Sequence, residues 1–135
     1  MVKPFRLARV PKVIFRTGAL DELADIAVCH GKNILLVTGA KSFARSPRAE
    51  VLHQLMIAKG LILHNVKITG EPSPAVVDDA AERFRGEDIN LVVSIGGGSV
   101  LDAGKAISAM LTVKGSVADY LEVVGNNQPL MHPAA

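Results

Sequence analysis

Between residues 91 and 106 the sequence reads LVVSIGGGSVLDAGKA. Gly96, Gly97 and Gly98 separate an apolar run from a helical pattern that carries Ser99, Asp102 and Lys105. Glycine allows positive φ and lets an anion reach amide N–H groups with no Cβ in the way. A helix opening at that point adds unpaired N–H donors and roughly half a positive charge. Together these make a seat for a phosphate or pyrophosphate. Ser99 is the expected N-cap, with Asp102 in the capping-box relation and Lys105 able to pair with Asp102 or reach a phosphate. The competing reading is that the glycines only make a tight turn. The spacing is not that of a Walker A loop, because five residues separate Gly98 from Gly104 and Lys105 is followed by Ala106. Nor is it GxGxxG, so the residues by themselves stop at an anion seat.

The elements that must position this loop alternate in type. PKVIFRTG (11–18) reads as a first strand, and ALDELADIAVCHG as a helix with Leu20, Leu23, Ile26 and Ala27 on one face and Gly31 as its stop. NILLVTG (33–39) is a continuous apolar run of the kind buried on both faces of a parallel sheet. Ser46 and Pro47 open the next helix and Gly60 closes it; Ser73 and Pro74 open another, which ends at Gly86. LILHNVKI (61–68) and INLVVSI (89–95) are strands. SVLDAGKAISAMLTVKG (99–115) is the helix after the glycines, with Val100, Ala103, Ile107 and Met110 or Leu111 on one face. SVADYLEVVG makes a short helix before a polar, proline-containing tail. Strands and helices alternating at this spacing imply βαβ units, hence an α/β, Rossmann-like parallel sheet with helices on both faces.

Composition narrows the function. A chain of 135 residues with 49% hydrophobic and 21% charged residues has the size and balance of one soluble domain. A net charge of +2 and 4% aromatics argue against nucleic acid, and no apolar run is long enough to span a bilayer. The basic start MVKPFRLARVPK has no signal-peptide core behind it. Cys29 stands alone, which fits a reducing cytoplasm; next to His30 at a helix end, it reads as a small core residue. The four histidines, at 30, 53, 64 and 132, show no metal-ligand spacing. His53 in a helix and His64 in a strand read as surface or hydrogen-bonded residues.

GGGSVLDAGKA resembles the GGGSxxDxxK signature of the iron-containing alcohol dehydrogenases, relatives of glycerol dehydrogenase and dehydroquinate synthase. PKVIFRTGALDELADI, NILLVTGAKSF and EPSP resemble, in order, that family's opening segment, its second nucleotide-binding strand and its Pro-x-Pro segment. The resemblance covers nearly the whole chain but only the front part of a family member. It implies a dehydroquinate synthase-like N-terminal domain, with residues 1–135 an incomplete NAD(P)-binding domain. It also implies that Gly97, Gly98 and Ser99 hold the dinucleotide pyrophosphate, with Gly96, Asp102 and Lys105 on the cofactor side. Where many NAD-preferring members carry an acidic residue for the ribose, this chain has Gly39, and Lys41 with Ser42 could meet a 2′-phosphate. That leans the expectation toward NADP over NAD, although Lys41 as a solvated loop charge fits as well.

The family's divalent metal, iron or zinc, is held by an aspartate and three histidines in a later helical domain that is absent from these residues. The expected function is the nucleotide-binding portion of an enzyme passing a hydride between NAD(P) and a small alcohol or aldehyde, this piece alone being inactive. Two alternatives stay open: a front domain of a glycerol-phosphate dehydrogenase or dehydroquinate synthase-like enzyme, and a non-catalytic nucleotide-binding or interaction module. An open sheet edge and exposed apolar area make self-association an expectation too.

Overall fold

The computed structural model describes residues 11–131, so the basic N-terminus through residue 10 and His132 lie outside the described residues. Three parallel strands, β1 (Asn33–Gly39), β2 (Ile62–Ile68) and β3 (Leu91–Ile95), form one sheet in the order β2-β1-β3. Val37 of the central strand stands opposite Val66 on one side and Ser94 on the other. As its apolar run requires, β1 is buried from Ile34 to Thr38.

The pleat sends alternate β1 residues to opposite faces, and a separate core forms on each. Ile34 and Leu36 pack with Ala24 and Ala27 of α1 (Leu23–Val28) and with Leu52 and Met56 of α2 (Pro47–Ala58). Leu35 and Val37 pack with Val77, Ala81 and Phe84 of α3 (Pro74–Phe84) and with Val100, Ala103 and Ile107 of α4 (Gly98–Met110). Helices therefore cover both faces. Met110 and Leu111, between which the spacing did not choose, are both buried.

Both serine–proline starts are helix caps. Ser46 Oγ accepts from Arg48 N at 3.2 Å and Ser73 Oγ from Val76 N at 3.4 Å, each with proline in the first turn. Ser46→Ala should cost about 1 kcal/mol, read as a lower urea midpoint at unchanged slope. Gly60, at φ 78°, closes α2.

Four expectations need correction. Residues 11–15 form no strand; Val13 and Phe15 are 75% and 99% exposed, and neither sheet edge pairs with them. An apolar β-branched run needs a ladder partner to become a strand, and none of the described residues supplies one. The first helix is split, with a 3₁₀ turn over Ala19–Glu22 before α1, so Ile26 is exposed while Ala24 and Ala27 face the sheet. Cys29 is an exposed C-cap rather than a core residue, because it falls about 200° around the helix from Ala27. The last helix is only a 3₁₀ turn, Val117–Asp119. A Ser116/Asp119 capping box opens it, and Asp78 tethers it by accepting from Ser116 Oγ at 2.5 Å and Val117 N at 2.7 Å.

Candidate functional site

The glycine loop joins β3 to α4 at the carboxyl edge of the sheet, where open α/β sheets bind their ligands. All three glycines are exposed, and Ser99 is half-buried behind them. They are not equivalent. A Cβ on Gly96 would meet Val100 Cγ2 at 2.6 Å and Val100 Cβ at 2.8 Å, so packing excludes a side chain there. A Cβ on Gly97 or Gly98 would meet nothing within 4 Å. Nor does either need the left-handed region, since among the described glycines positive φ falls on Gly18, Gly31, Gly60, Gly70 and Gly115. Positive φ is thus not what the loop uses glycine for. Gly97 and Gly98 leave backbone bare toward solvent with no reason inside the fold.

The capping expectation is corrected. Helix α4 begins one residue early, with Gly97 as an N-cap that makes no side-chain bond and whose carbonyl accepts from Val100 N at 3.0 Å and Leu101 N at 3.1 Å. Ser99 therefore lies inside the first turn, where its hydroxyl cannot cap. It donates instead to Glu71 Oε1 at 2.8 Å, in the loop after β2. No carbonyl or side chain among the described residues accepts from the N–H groups of Gly98 and Ser99. Two donors at the positive end of a 13-residue helix thus face outward.

Asp102 and Lys105 pair with each other at 3.5 Å on the solvent side of α4, with side chains 70% and 77% exposed. A pair that exposed is worth little, and neither residue hydrogen-bonds to the glycine loop. Gly39 does come to the loop. A Cβ on it would stand 3.5 Å from Val100 Cγ2, so Val100 is wedged between the ends of β1 and β3 and brings Gly39 beside Gly96. Lys41 and Ser42 are exposed on the turn 40–45 that follows.

Sequence reasoning missed two features. One is Glu71, read only as part of the Pro-x-Pro segment EPSP. The other is a cleft of about 410 Å³ beside that turn, whose lining includes Thr38, Arg45, His53, Asn65 and Lys67. Its two cations, Arg45 and Lys67, come from the turn after β1 and from β2, which a linear reading cannot bring together without the strand order. A second cleft of about 610 Å³ lies at the far end of α4, between Thr112–Lys114 and Gln128–Met131. It is about 20 Å of helix away from the glycines.

No group of three or more His, Cys, Asp or Glu among the described residues could hold a metal ion. His64 is half-buried, its ring edge-on to Phe84 at 5.6 Å, and its Nε2 is buried without the hydrogen bond expected of it. No helix among the described residues is long and apolar enough to cross a membrane.

A parallel open sheet with bare glycine backbone at a strand–helix junction is an α/β arrangement of the kind that seats ligands at the carboxyl ends of its strands. Residues 11–135 match the family described as iron-containing alcohol dehydrogenase, and the chain belongs to that family. It is 34% identical over 110 residues to Probable NADH-dependent butanol dehydrogenase 2 of Bacillus subtilis, covering 80% of this chain and 28% of that protein. Probable NADH-dependent butanol dehydrogenase 1 of the same organism is 32% identical over 120 residues, covering 87% and 30%. The fold superposes on an archaeal halo-thermophilic alcohol dehydrogenase from a Red Sea brine pool with a TM-score of 0.84 at 25% identity, over 97% of this chain and 34% of that one. Sulfoacetaldehyde reductase from Bifidobacterium kashiwanohense, solved with NAD+, gives a TM-score of 0.63 at 28% identity, over 78% and 28%. The chain thus spans about three-tenths of the length of these relatives.

Proposed function

We propose that residues 1–135 are the dinucleotide-binding portion of a longer enzyme that moves a hydride between NAD(P) and a small alcohol or aldehyde. The observation that carries the reading is the bareness of Gly97 and Gly98, which neither packing nor backbone conformation demands. Family membership supplies the ligand class, and the short coverage of the relatives supports a longer whole. In this reading the N–H groups of Gly98 and Ser99 bind the pyrophosphate in the field of α4, and Gly97 leaves room for its approach. Gly96 keeps Val100 seated, which holds the ends of β1 and β3 together. The nicotinamide supplies the hydride chemistry when bound. These residues orient the dinucleotide; Asp102 and Lys105 contribute at most a peripheral field. The metal site belongs to a helical domain outside these residues, and no step here runs through it.

The strand order also supports the lean toward NADP. Moving from β3 across β1 to β2, a dinucleotide seated on the glycine loop passes Gly39 and then reaches Lys41, Ser42, Arg45 and Lys67. Gly39 offers no carboxylate to bond a ribose 2′-hydroxyl or repel a 2′-phosphate, while the cations favour the phosphate. Against this stand the names of the two Bacillus relatives, both called NADH-dependent.

Calorimetric titration with NADPH and NADH tests both parts. The 135-residue chain should bind the dinucleotide and show no alcohol oxidation, with NADPH the tighter ligand. Gly39→Asp, which the ordinary 3.5 Å contact to Val100 tolerates, should weaken NADPH about ten-fold and leave NADH unchanged or improved. Equal affinities in the parent chain would defeat the NADP preference and keep the seat. Turnover by the chain alone would defeat the proposed division of labour.

A further inference from the structure

Glu71 is out of place at an anion seat. It follows Gly70, whose φ of 84° turns the chain after β2, and its Oε1 accepts the Ser99 hydroxyl proton at 2.8 Å. That bond is its polar contact among the described residues, for no lysine or arginine there pairs with it. A carboxylate from the loop after β2 thus stands against the first turn of α4, where the dipole favours negative charge and where a phosphate would be bound. Ser99 has one hydroxyl proton to give. It cannot serve Glu71 and an incoming phosphate oxygen together, and the two anions repel at close range.

We propose that Glu71 sets the affinity of the dinucleotide seat as an internal competitor. The Ser99 hydroxyl passes from Glu71 to the pyrophosphate on binding, and the displaced carboxylate opposes the ligand from the loop before α3. Binding is consequently weaker and more readily reversed than the glycine loop alone would give. This rests on the pyrophosphate seat proposed above. The same contact holds that loop against α4 when the dinucleotide leaves, so the site keeps its shape at the cost of affinity.

The test is Glu71→Gln, with Glu71→Ala beside it, titrated with NADH and NADPH by calorimetry against the parent and Gly98→Val. Glutamine keeps the size of the side chain and an oxygen that accepts from Ser99, but carries no charge. Its dissociation constants should fall about three- to ten-fold, and the gap should close as salt rises from about 20 mM to about 500 mM. Thermal midpoints should stay level, since Glu71 is exposed. A merely structural Glu71 would move affinity the other way or not at all. Unchanged or weaker binding by Glu71→Gln, with Gly98→Val abolishing it, overturns the role of Glu71 alone. Undiminished binding by Gly98→Val overturns the seat and this inference with it. Glu71→Ala, free of any side-chain acceptor, should tighten binding as well, and a loss there also counts against the proposal.

Discussion

Gly98→Val should abolish dinucleotide binding while leaving the fold intact. A Cβ at this position meets nothing within 4 Å, and Gly98 is the first residue of α4, so valine adds no internal clash. Stability should hold within about 0.5 kcal/mol, as for an exposed site without a special role. The bulk projects instead over the N–H groups of Gly98 and Ser99, which no acceptor among the described residues satisfies. Losing two charge-assisted hydrogen bonds at about 1.5 kcal/mol or more each gives a deficit of about 3 kcal/mol, or at least about 100-fold in dissociation constant. Calorimetry for affinity and urea melts for stability separate the two effects. Intact binding by the folded variant would mean that the glycines only turn the chain.

The order of elements was legible because each core strand and helix carries its own local signal. NILLVTG could only be a strand buried on both faces, and the two serine–proline pairs announced helix starts that the structure caps through Ser46 and Ser73. What failed was information held in partners. The run at 11–15 has strand-forming residues but pairs with neither edge of the sheet, and the expected Ser99 cap was lost to a helix that begins one residue early. Of the nine residues expected to line the site, Gly39 and Gly96 to Ser99 come together around Val100 and the start of α4. Asp102 and Lys105 do not join them, because they stand on the solvent side of α4, past its first turn, and pair with each other. Glu71 was invisible for the opposite reason. It stands 28 residues before Ser99, and only the crossover from β2 through α3 to β3 brings the two together.

Gly104→Val should cost stability first and binding only through it. Gly104 is buried on the face of α4 that lies on the sheet, and a Cβ there would overlap Ser94 Oγ and stand 3.0 Å from Ser94 Cβ. Rotating the serine removes the first overlap but not the second, so the crowding belongs to the strand itself. Valine's two methyls extend the conflict toward Val37, whose Cβ lies 3.9 Å from the built atom. Helix α4 must lift from β3 and β1, at a cost of about 1–3 kcal/mol for overpacking. The better helix propensity of valine over glycine returns only a few tenths of that. We expect a net loss of about 2 kcal/mol, visible as a lower urea midpoint, against the 5–15 kcal/mol that typically holds a domain together. Ser94→Gly removes both serine atoms in the way, so the double variant should recover part of the loss, and the cycle should show coupling of about 1 kcal/mol. Additive single effects would mean that the helix does not rest on Ser94. Two glycines six residues apart on one helix would then be separated by experiment: Gly98 lets a ligand reach the backbone, and Gly104 lets the helix reach the sheet that aims it.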